Sequence, residues 1–248
     1  MKDKIAVVTG GMGGIGTSIC QKLQKDNFKV IATYHRGGNH QSASEWQNKQ
    51  SELGFDFDVQ YVDVKDFESC KEMVQQIEKN HGQIQVLVNN AGITRDCALH
   101  KMNPSQWNEV LRTNLDSVFN VTRNVIDSMI KNKYGRIVNI SSINGQMGQY
   151  GQSNYAAAKA GMHGFTKSIA IEVAKHNITI NTISPGYIAT DMVMAIDEDI
   201  RNKIIGGIPT KRFGKPEEIA RCVSFLVSTE SSYITGSNLM INGGQYLM

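Results

Sequence analysis

Residues 5–16 read IAVVTGGMGGIG, and in this stretch a short apolar run leads directly into a glycine-rich segment. Glycines permit a tight turn and let backbone N–H groups approach a bound anion, which then faces the positive end of the following helix. Glycine turns also occur without ligands, so the prediction depends on the position of this one between a strand and a helix. The stretch predicts a site for the pyrophosphate of a dinucleotide. The residues expected to contact it are Gly10, Met12, Gly14, Ile15 and Gly16.

The alternation of short β-branched runs with longer amphipathic runs continues to the end of the chain. The predicted strands are residues 5–9, 29–34, 59–62, 86–89, 136–140, 179–184 and 239–241. The first, fourth and fifth carry almost no polar side chains in their middles, as is typical of strands buried on both faces of a parallel sheet. Repeated strand–helix–strand units imply right-handed crossovers. We therefore predict an α/β fold, a Rossmann-type doubly wound parallel sheet of seven strands, in a single domain over residues 1–248.

Residues 186–214 form the longest stretch without a clear periodic pattern. They follow a predicted strand and mix polar with apolar side chains. Long segments of this kind inside a compact domain are commonly functional. We predict a mobile substrate flap with short helices over the site, and a plain surface excursion is the alternative.

Composition and charge restrict the class of protein. Apolar residues make up 40% and charged residues 20% of the chain, an ordinary globular balance. Lys and Arg exceed Asp and Glu by only 26 to 23, which predicts no nucleic-acid partner, although it could help a basic pocket attract an anionic substrate. The four cysteines lie far apart and the six histidines are scattered, so we expect free thiols and no metal site. The absence of a signal-peptide pattern and of an apolar run near the roughly 20 residues of a bilayer span predicts no membrane partner and a cytoplasmic location.

The end of the second predicted strand bears on which dinucleotide is bound. An acidic residue there would hydrogen-bond the ribose 2′-hydroxyl and favour NAD. Residues 33–36 read TYHR and contain no acid. Arg36 is well placed to meet a 2′-phosphate, so we predict NADPH, with a solvent-exposed loop arginine as the alternative. Asp63 and Val64, at the end of the third strand, would suit the adenine edge, although Asp63 could instead start a helix.

Further motifs match one protein family in their order and spacing. Residues 89–92 read NNAG after the fourth strand, and Pro185 and Gly186 form a turn after the sixth. The positions that match a catalytic tetrad are Asn114, Ser142, Tyr155 and Lys159. With the glycine-rich turn, these motifs make the chain resemble the short-chain dehydrogenase/reductases almost end to end. The resemblance implies that the cofactor is also held by Asn90, Ala91, Gly92, Tyr155, Lys159, Pro185, Gly186, Ile188 and Thr190.

The Tyr-x-x-x-Lys motif occurs twice, and only one copy suits joint chemistry. Tyr155 and Lys159 lie in a strongly helical run, where residues four apart share a face with about 5–6 Å between Cβ atoms. Tyr61 lies on a predicted strand, where a residue four positions further on would be roughly 13 Å away. We therefore interpret Tyr61 and Lys65 as a coincidence.

The tetrad can protonate and polarise a ketone. A free tyrosine has a pKa of about 10, and a nearby ammonium favours the phenolate, so we expect Lys159 to lower the pKa of Tyr155. Tyr155 is then the general acid in reduction and the base in alcohol oxidation, and Ser142 hydrogen-bonds the substrate carbonyl. The resemblance further implies that Lys159 holds the nicotinamide ribose and that Asn114 holds a water linking Lys159 to solvent. Each residue alone has a structural alternative, such as a turn serine or a packing tyrosine.

Three stretches indicate the substrate. Residues 90–96, 144–155 and 184–192 resemble those of the acetoacetyl-CoA reductases that supply polyhydroxyalkanoate synthesis. The resemblance implies NADPH-dependent reduction of acetoacetyl-CoA to (R)-3-hydroxybutyryl-CoA. The substrate contacts that it implies are Asp96, Lys101, Ser142, Gln149, Gln152 and Tyr187. Arg95 and Lys101 could meet CoA phosphates or could be solvated surface charges.

Two other functions stay open from the sequence. The 3-ketoacyl-acyl-carrier-protein reductases of fatty-acid synthesis share these motifs, but they commonly place arginines for the acidic carrier where this chain has Lys133 and His176. A non-catalytic NADPH-binding sensor or scaffold is the alternative from another class, and the intact tetrad argues against it. The family also implies a homotetramer, in which the apolar residues 246–248 pack at an interface or within their own subunit.

Overall fold

The computed structural model describes residues 4–35 and 40–247. Within these residues one sheet is formed by β1 (Lys4–Val8), β2 (Phe28–Tyr34), β3 (Asp58–Tyr61), β4 (Ile84–Asn89), β5 (Gly135–Ile140), β6 (Ile178–Pro185) and β7 (Asn238–Ile241). The strand order is β3-β2-β1-β4-β5-β6-β7, and every neighbouring pair is parallel. This confirms the predicted doubly wound sheet of seven strands.

Helices cover both faces of the sheet. They are α1 (Gly14–Lys25), α2 (His40–Glu52), α3 (Phe67–His81), α4 (Pro104–Leu111), α5 (Ser117–Asn132), α6 (Asn144–Met147), α7 (Ser153–Val173), α8 (Asp191–Met194), α9 (Glu198–Gly207) and α10 (Pro216–Val227). A π-helical turn, Arg112–Asp116, joins α4 to α5. None of the described helices combines the length and the apolarity that a bilayer span requires.

The strand of the opening motif is buried on both sides. Ile5 and Val7 of β1 lie in one apolar core with residues of α3, α5 and α7. Ala6 and Val8 lie in the other core, with residues of α1 and α10. Because successive side chains of a strand point to opposite faces, a strand between two helical layers needs an unbroken apolar run, which is the pattern of residues 5–8.

The strand order reverses beside β1, which opens a crevice at the carboxyl ends of β1 and β4. The glycine-rich turn and the loop after β4 meet there. The Asn90 amide donates to the carbonyl oxygens of Thr9 at 3.0 Å and Gly10 at 3.1 Å. The Thr9 hydroxyl in turn accepts from the backbone N–H groups of Asn90 at 2.9 Å and Ala91 at 3.1 Å. These bonds fix the two loops against each other.

Residues 186–214 contain the short helices α8 and α9. The segment is closed at its base, because Gly214 N–H donates to the Tyr187 carbonyl at 2.9 Å and Ala189 N–H donates to the Gly214 carbonyl at 2.8 Å. Its first residues, 186–188 and 190–193, line the crevice. The predicted short helices are thus present, and the movement of the segment stays a prediction.

Candidate active site

A cleft of about 540 Å³ lies at the carboxyl ends of the strands. It is bounded by the glycine-rich turn, the end of β2, the loops after β4 and β5, the start of α7 and the first part of the flap segment. The predicted site residues that line it are Gly10, Met12, Gly14, Ile15, Gly16, Asn90, Ala91, Gly92, Ser142, Gln152, Tyr155, Lys159, Pro185, Gly186, Tyr187, Ile188 and Thr190. Predicted cofactor and catalytic positions therefore share one cavity.

The glycine-rich turn has no room for side chains at its key positions. Gly10 has a φ of +59°, which only glycine adopts readily. A Cβ on Gly16 would lie 2.3 Å from the Gly10 carbonyl oxygen, and one on Gly14 would lie 2.8 Å from Thr190 Cγ2. A Cβ on Gly13 would meet nothing closer than the Gly10 carbonyl oxygen at 3.5 Å. The backbone conformation at Gly10 and the tight packing at Gly14 and Gly16 explain why these three positions of the motif are glycines.

The start of α1 offers hydrogen-bond donors to an anion. Gly13 at the N-cap makes no side-chain capping bond, and the first turn contains no acidic residue. The first N–H groups of a helix lack partners within the helix and carry its positive partial charge. The turn and helix start therefore fit the pyrophosphate of a dinucleotide, and the neighbouring cleft fits the rest of such a molecule.

Tyr155 and Lys159 lie one helical turn apart on α7 and both line the cleft. The Lys159 Nζ is 5.5 Å from the centre of the Tyr155 ring, and it donates to the Ile140 carbonyl at 2.7 Å. The Ser142 hydroxyl lies close enough to the Tyr155 phenol to lower the pKa of that phenol. The three side chains thus converge, as the sequence predicted.

Burial changes the charge state expected for this pair. It raises the pKa of Tyr155 above its ordinary value, Ser142 lowers that pKa in part, and the Asp96 carboxylate adds a smaller rise. Burial also lowers the pKa of Lys159, which is 3% exposed, to about 7. The pKa of Tyr155 is therefore raised in this structure, whereas the sequence predicted a lowered one, because burial of the phenol itself is the largest influence on that pKa.

Asn114 lies in the π-helical turn and is fully buried. Its Nδ2 donates to the carbonyl oxygens of Ile93 and Val110, both at 2.9 Å, and its Oδ1 accepts from Ile93 N–H at 3.2 Å. The side chain therefore ties the loop after β4 to the junction of α4 and α5 and does not line the cleft. Single π turns are frequent at functional sites, and this one lies directly behind Gly92.

A chain of hydrogen bonds crosses the mouth of the cleft. Gln152 Nε2 donates to Asp96 Oδ2 at 2.7 Å, and Gln152 Oε1 accepts from Asn144 Nδ2 at 2.8 Å. Asn144 N–H also donates to Ser142 Oγ at 3.2 Å. The structure thus connects Asp96 and Gln152 to Ser142, the predicted catalytic serine. Asn144, which the sequence reading did not select, was recognisable only as the first residue of the stretch 144–155.

Other predicted substrate contacts lie away from the cleft lining. Lys101 is exposed at the end of a 3-10 turn, Leu99–Lys101, and Gln149 is exposed before α7. Arg95 is committed elsewhere, because its Nε and NH2 donate to the two carboxylate oxygens of Glu109 at 2.9 and 2.8 Å. Arg95 is thus paired with an acidic side chain at the surface, and its contact with CoA phosphates stays a prediction.

The predicted adenine contacts also lie outside the lining. Asp63 Oδ1 accepts from Lys65 N–H, and Lys65 Nζ lies 3.7 Å from Asp63 Oδ2. Val64 is buried in the core, where its carbonyl accepts from Asn120 Nδ2 at 3.0 Å. Arg36 lies outside the described residues. His35, which the sequence reading did not assign, lines the cleft at the end of β2.

Comparison with known proteins identifies the family. The family described as short chain dehydrogenase matches residues 4–201. The chain belongs to the short-chain dehydrogenase family. The chain is accordingly an oxidoreductase that uses a nicotinamide cofactor. Among the described residues, no group of three or more His, Cys, Asp and Glu is arranged to hold a metal ion.

Individual relatives are similar over the whole chain. Acetoacetyl-CoA reductase of Cupriavidus necator is 52% identical over 247 residues, which cover 100% of both chains. Nodulation protein G of Azospirillum brasilense is 54% identical over 244 residues, or 98% of each chain. The 3-oxoacyl-acyl-carrier-protein reductase of Escherichia coli is 43% identical over 247 residues, or 100% of this chain and 99% of the other.

Proposed function

We propose that the protein reduces acetoacetyl-CoA to (R)-3-hydroxybutyryl-CoA with NADPH and supplies this product to polyhydroxyalkanoate synthesis. One observation carries the proposal: Tyr155, Lys159 and Ser142 lie close together in the cleft that the glycine-rich turn also lines. The chain that holds them is 52% identical, end to end, to a protein named acetoacetyl-CoA reductase.

A reduced nicotinamide held in this cleft would supply the hydride for the carbonyl carbon, and negative charge would then develop on the carbonyl oxygen. Tyr155 donates its phenolic proton to that oxygen, and the Ser142 hydroxyl hydrogen-bonds the same atom. Burial raises the pKa of Tyr155, so the phenol holds its proton at neutral pH and a nearby positive charge is needed to ease the transfer of that proton. Lys159 holds the nicotinamide ribose and, when charged, eases loss of the tyrosine proton.

Asn114 contributes by shaping the proton path. Its side-chain amide is used by backbone groups of Ile93 and Val110, so the predicted water between Lys159 and solvent would be held by the Asn114 backbone carbonyl. The π-helical turn displaces this part of the backbone from regular helix geometry.

The choice of NADPH rests on the end of β2. The cleft-lining residues there are Thr33, Tyr34 and His35, none of them acidic, so no carboxylate meets the ribose 2′-hydroxyl in the manner that favours NAD. Arg36 follows directly and would bind the 2′-phosphate. Asp63 and Val64 would contact the adenine as the cofactor seats.

The substrate end of the cleft fits a short, polar acyl group. Gln152, Asp96 and Asn144 form a polar rim above Ser142, and Tyr187 packs against Phe213 with ring centres 6.2 Å apart as an apolar wall. Lys101 and Gln149 would complete the contacts to the thioester as the flap segment 186–214 closes over the site.

The experiment that tests this proposal compares acetoacetyl groups on two carriers. We expect NADPH oxidation with acetoacetyl-CoA to have a kcat/KM at least about tenfold above that with acetoacetyl-acyl-carrier protein, a difference of about 1.4 kcal/mol in transition-state stabilisation. A preference for the carrier form would assign the protein to fatty-acid synthesis and make Lys133 the next residue to mutate. Tight NADPH binding without reduction of either substrate would instead indicate a sensor or scaffold.

We further propose a cytoplasmic homotetramer. A tetramer of two-fold symmetry needs two different self-complementary patches. Phe67 and Phe119 stack at the surface with ring centres 6.1 Å apart, and Phe119 is 50% exposed. Tyr233, which precedes the edge strand β7 in the chain, is fully exposed and is our candidate for the second patch. Leu247 in the C-terminal tail is 78% exposed, which favours an interface over burial in its own subunit.

A further inference from the structure

Helix α7 presents polar side chains to the sheet at three successive turns. Lys159, His163 and Thr166 have the i, i+4, i+7 spacing of one helix face. Thr166 Oγ1 accepts from Asn139 Nδ2 on β5 at 2.9 Å and from Thr182 Oγ1 on β6 at 3.0 Å. Hydrogen bonds therefore fix the position of α7 along the sheet, in addition to its apolar contacts.

His163 connects this helix to two strand ends. Its Nε2 lies 3.1 Å from Ser141 Oγ, directly after β5, and 3.3 Å from Ser184 Oγ in β6. Ser141 Oγ donates to the backbone carbonyl of Lys159 at 2.8 Å. One imidazole thus joins both strand ends to the turn of α7 that carries Lys159, and Ser141 precedes Ser142 in the chain.

The hydrogen positions follow from counting protons. A hydroxyl has one proton to donate, and Ser141 gives its own to the Lys159 carbonyl, which can only accept. The Ser141 oxygen must therefore accept from His163, and this requires hydrogen on Nε2. Burial, with a further contribution from Lys167, lowers the pKa of His163, so the ring is neutral at pH 7 and its Nδ1 carries no proton.

The turn of α7 that carries Lys159 is tightly packed against its neighbours. A Cβ on Gly145 of α6 would lie 2.7 Å from the carbonyl carbon of Lys159 and 2.8 Å from Ala160 N. The segment after Ser142 is therefore in direct contact with the same turn of α7. A small displacement of that turn would change the separation of Ser142 and Tyr155, and misplacement of reacting groups by about 1 Å can cost on the order of 100-fold in rate.

We propose that His163, in its neutral Nε2–H form, is a positioning residue that clamps Ser141 and Ser184 to the Lys159 turn and thereby sets the placement of Tyr155 against Ser142. His163 does not line the cleft, so it acts through these serines and not on the substrate. The proposal rests on the proposed function for its kinetic consequence, whereas the hydrogen position is independent of any activity.

The kinetic test uses two amides of different reach. In His163→Gln the side-chain amide nitrogen can take the place of Nε2, whereas the shorter amide of His163→Asn reaches only as far as Nδ1. We expect the Asn variant to lose about tenfold or more in kcat with KM for NADPH within about threefold of wild type. The Gln variant should retain kcat within about threefold, and His176→Asn, beyond the end of α7, serves as the matched control.

The hydrogen position is tested by solid-state NMR of protein labelled with 15N-histidine, in which the His163 signals are those lost in His163→Gln. The proposal predicts a protonated Nε2 and an unprotonated Nδ1 at pH 7. A protonated Nδ1, equal kcat in the Asn variant and wild type, or equal losses in the Asn and Gln variants would each overturn it. If the wild type reduced no ketoacyl thioester, the proposed function would fail. The NMR result would still show whether His163 donates from Nε2, as the proposal requires.

Discussion

At the scale of single residues, burial decides what Lys159 can do. Its ammonium has the Ile140 carbonyl as a hydrogen-bond partner at 2.7 Å, and no ion pair with a carboxylate is found for it within the described residues. A buried cation without a counter-ion is costly, so its pKa falls to about 7. Proton release from Lys159 is therefore linked to folding near neutral pH.

This linkage gives a prediction for the stability of the cofactor-free protein. The folded pKa of Lys159 is about 7, below the ordinary 10.5, so the unfolded chain binds more protons between these values and stability contributed at this site rises with pH. Relative to Lys159→Met, wild type should gain up to about 1.4 kcal/mol per pH unit in free energy of unfolding across this window. Urea unfolding at pH 7.5 and 9.5, at one protomer concentration, measures the difference. A difference that does not change with pH would mean that the buried lysine keeps its proton.

Arg36 gives a prediction about cofactor choice. If its guanidinium binds the 2′-phosphate, Arg36→Ala should raise KM for NADPH by about tenfold or more, the loss of a charge-assisted hydrogen bond of roughly 1.5–3 kcal/mol. KM for NADH should stay within about twofold, because NADH lacks that phosphate. Steady-state kinetics with both cofactors measure this, and equal changes for the two would refute the assigned role.

The individual residues also show where sequence reasoning stops. The four residues of the tetrad were recognisable because their order and spacing in the chain resemble those of the short-chain dehydrogenase/reductases. The pairing of Arg95 with Glu109 was not, since it depends on how the loop after β4 folds over α4. The charge state of Lys159 depends on burial, which no local pattern reports.

At the scale of elements, the backbone shape of the turn between β1 and α1 should determine how well the turn binds the dinucleotide. Gly16 packs tightly against the Gly10 carbonyl, whereas a Cβ on Gly13 would be in ordinary van der Waals contact with the same oxygen. The two glycines differ by three positions and give a matched pair of variants.

We predict that Gly16→Ala weakens NADPH binding by about tenfold or more, because its Cβ would lie 2.3 Å from the Gly10 oxygen and the turn must shift. Gly13→Ala should bind within about threefold of wild type, since its Cβ would be 3.5 Å from its nearest neighbour. Titration of NADPH fluorescence gives both dissociation constants. Equal affinities for the two variants would show that the turn is not held as described.

The strands and long helices could be predicted because their apolar periodicity is dictated by the two cores. The π-helical turn Arg112–Asp116 could not, because its Asn114 side chain bonds to Ile93, which lies 21 positions away in the chain. The polar contacts of α7 with the sheet could not be predicted either. The partners of His163, four residues after Lys159, are known only once α7 is placed on the sheet.

At the scale of the whole molecule, assembly follows from surfaces that one chain leaves uncovered. We predict that the protein sediments at about four times its chain mass of 27.4 kDa. In such a tetramer the Phe67–Phe119 patch of one subunit would pack against the same patch of a second subunit, and the patch at Tyr233 would do so with a third. Phe119→Glu should yield smaller species at micromolar concentration by placing a charge in an apolar contact. Analytical ultracentrifugation distinguishes these states, and a monomeric wild type would contradict the prediction.

The central claim is that Tyr155 protonates the ketone of acetoacetyl-CoA, and the most direct test is the rate of NADPH oxidation with this substrate in wild type and in Tyr155→Phe. The account predicts ready turnover by wild type. It predicts a loss of at least about 100-fold in kcat for the variant. The affinity for NADPH should stay within about threefold of wild type, because the glycine-rich turn and the other proposed cofactor contacts are unchanged. Turnover by the variant at a rate near that of wild type would show that another group supplies the proton and would contradict the account.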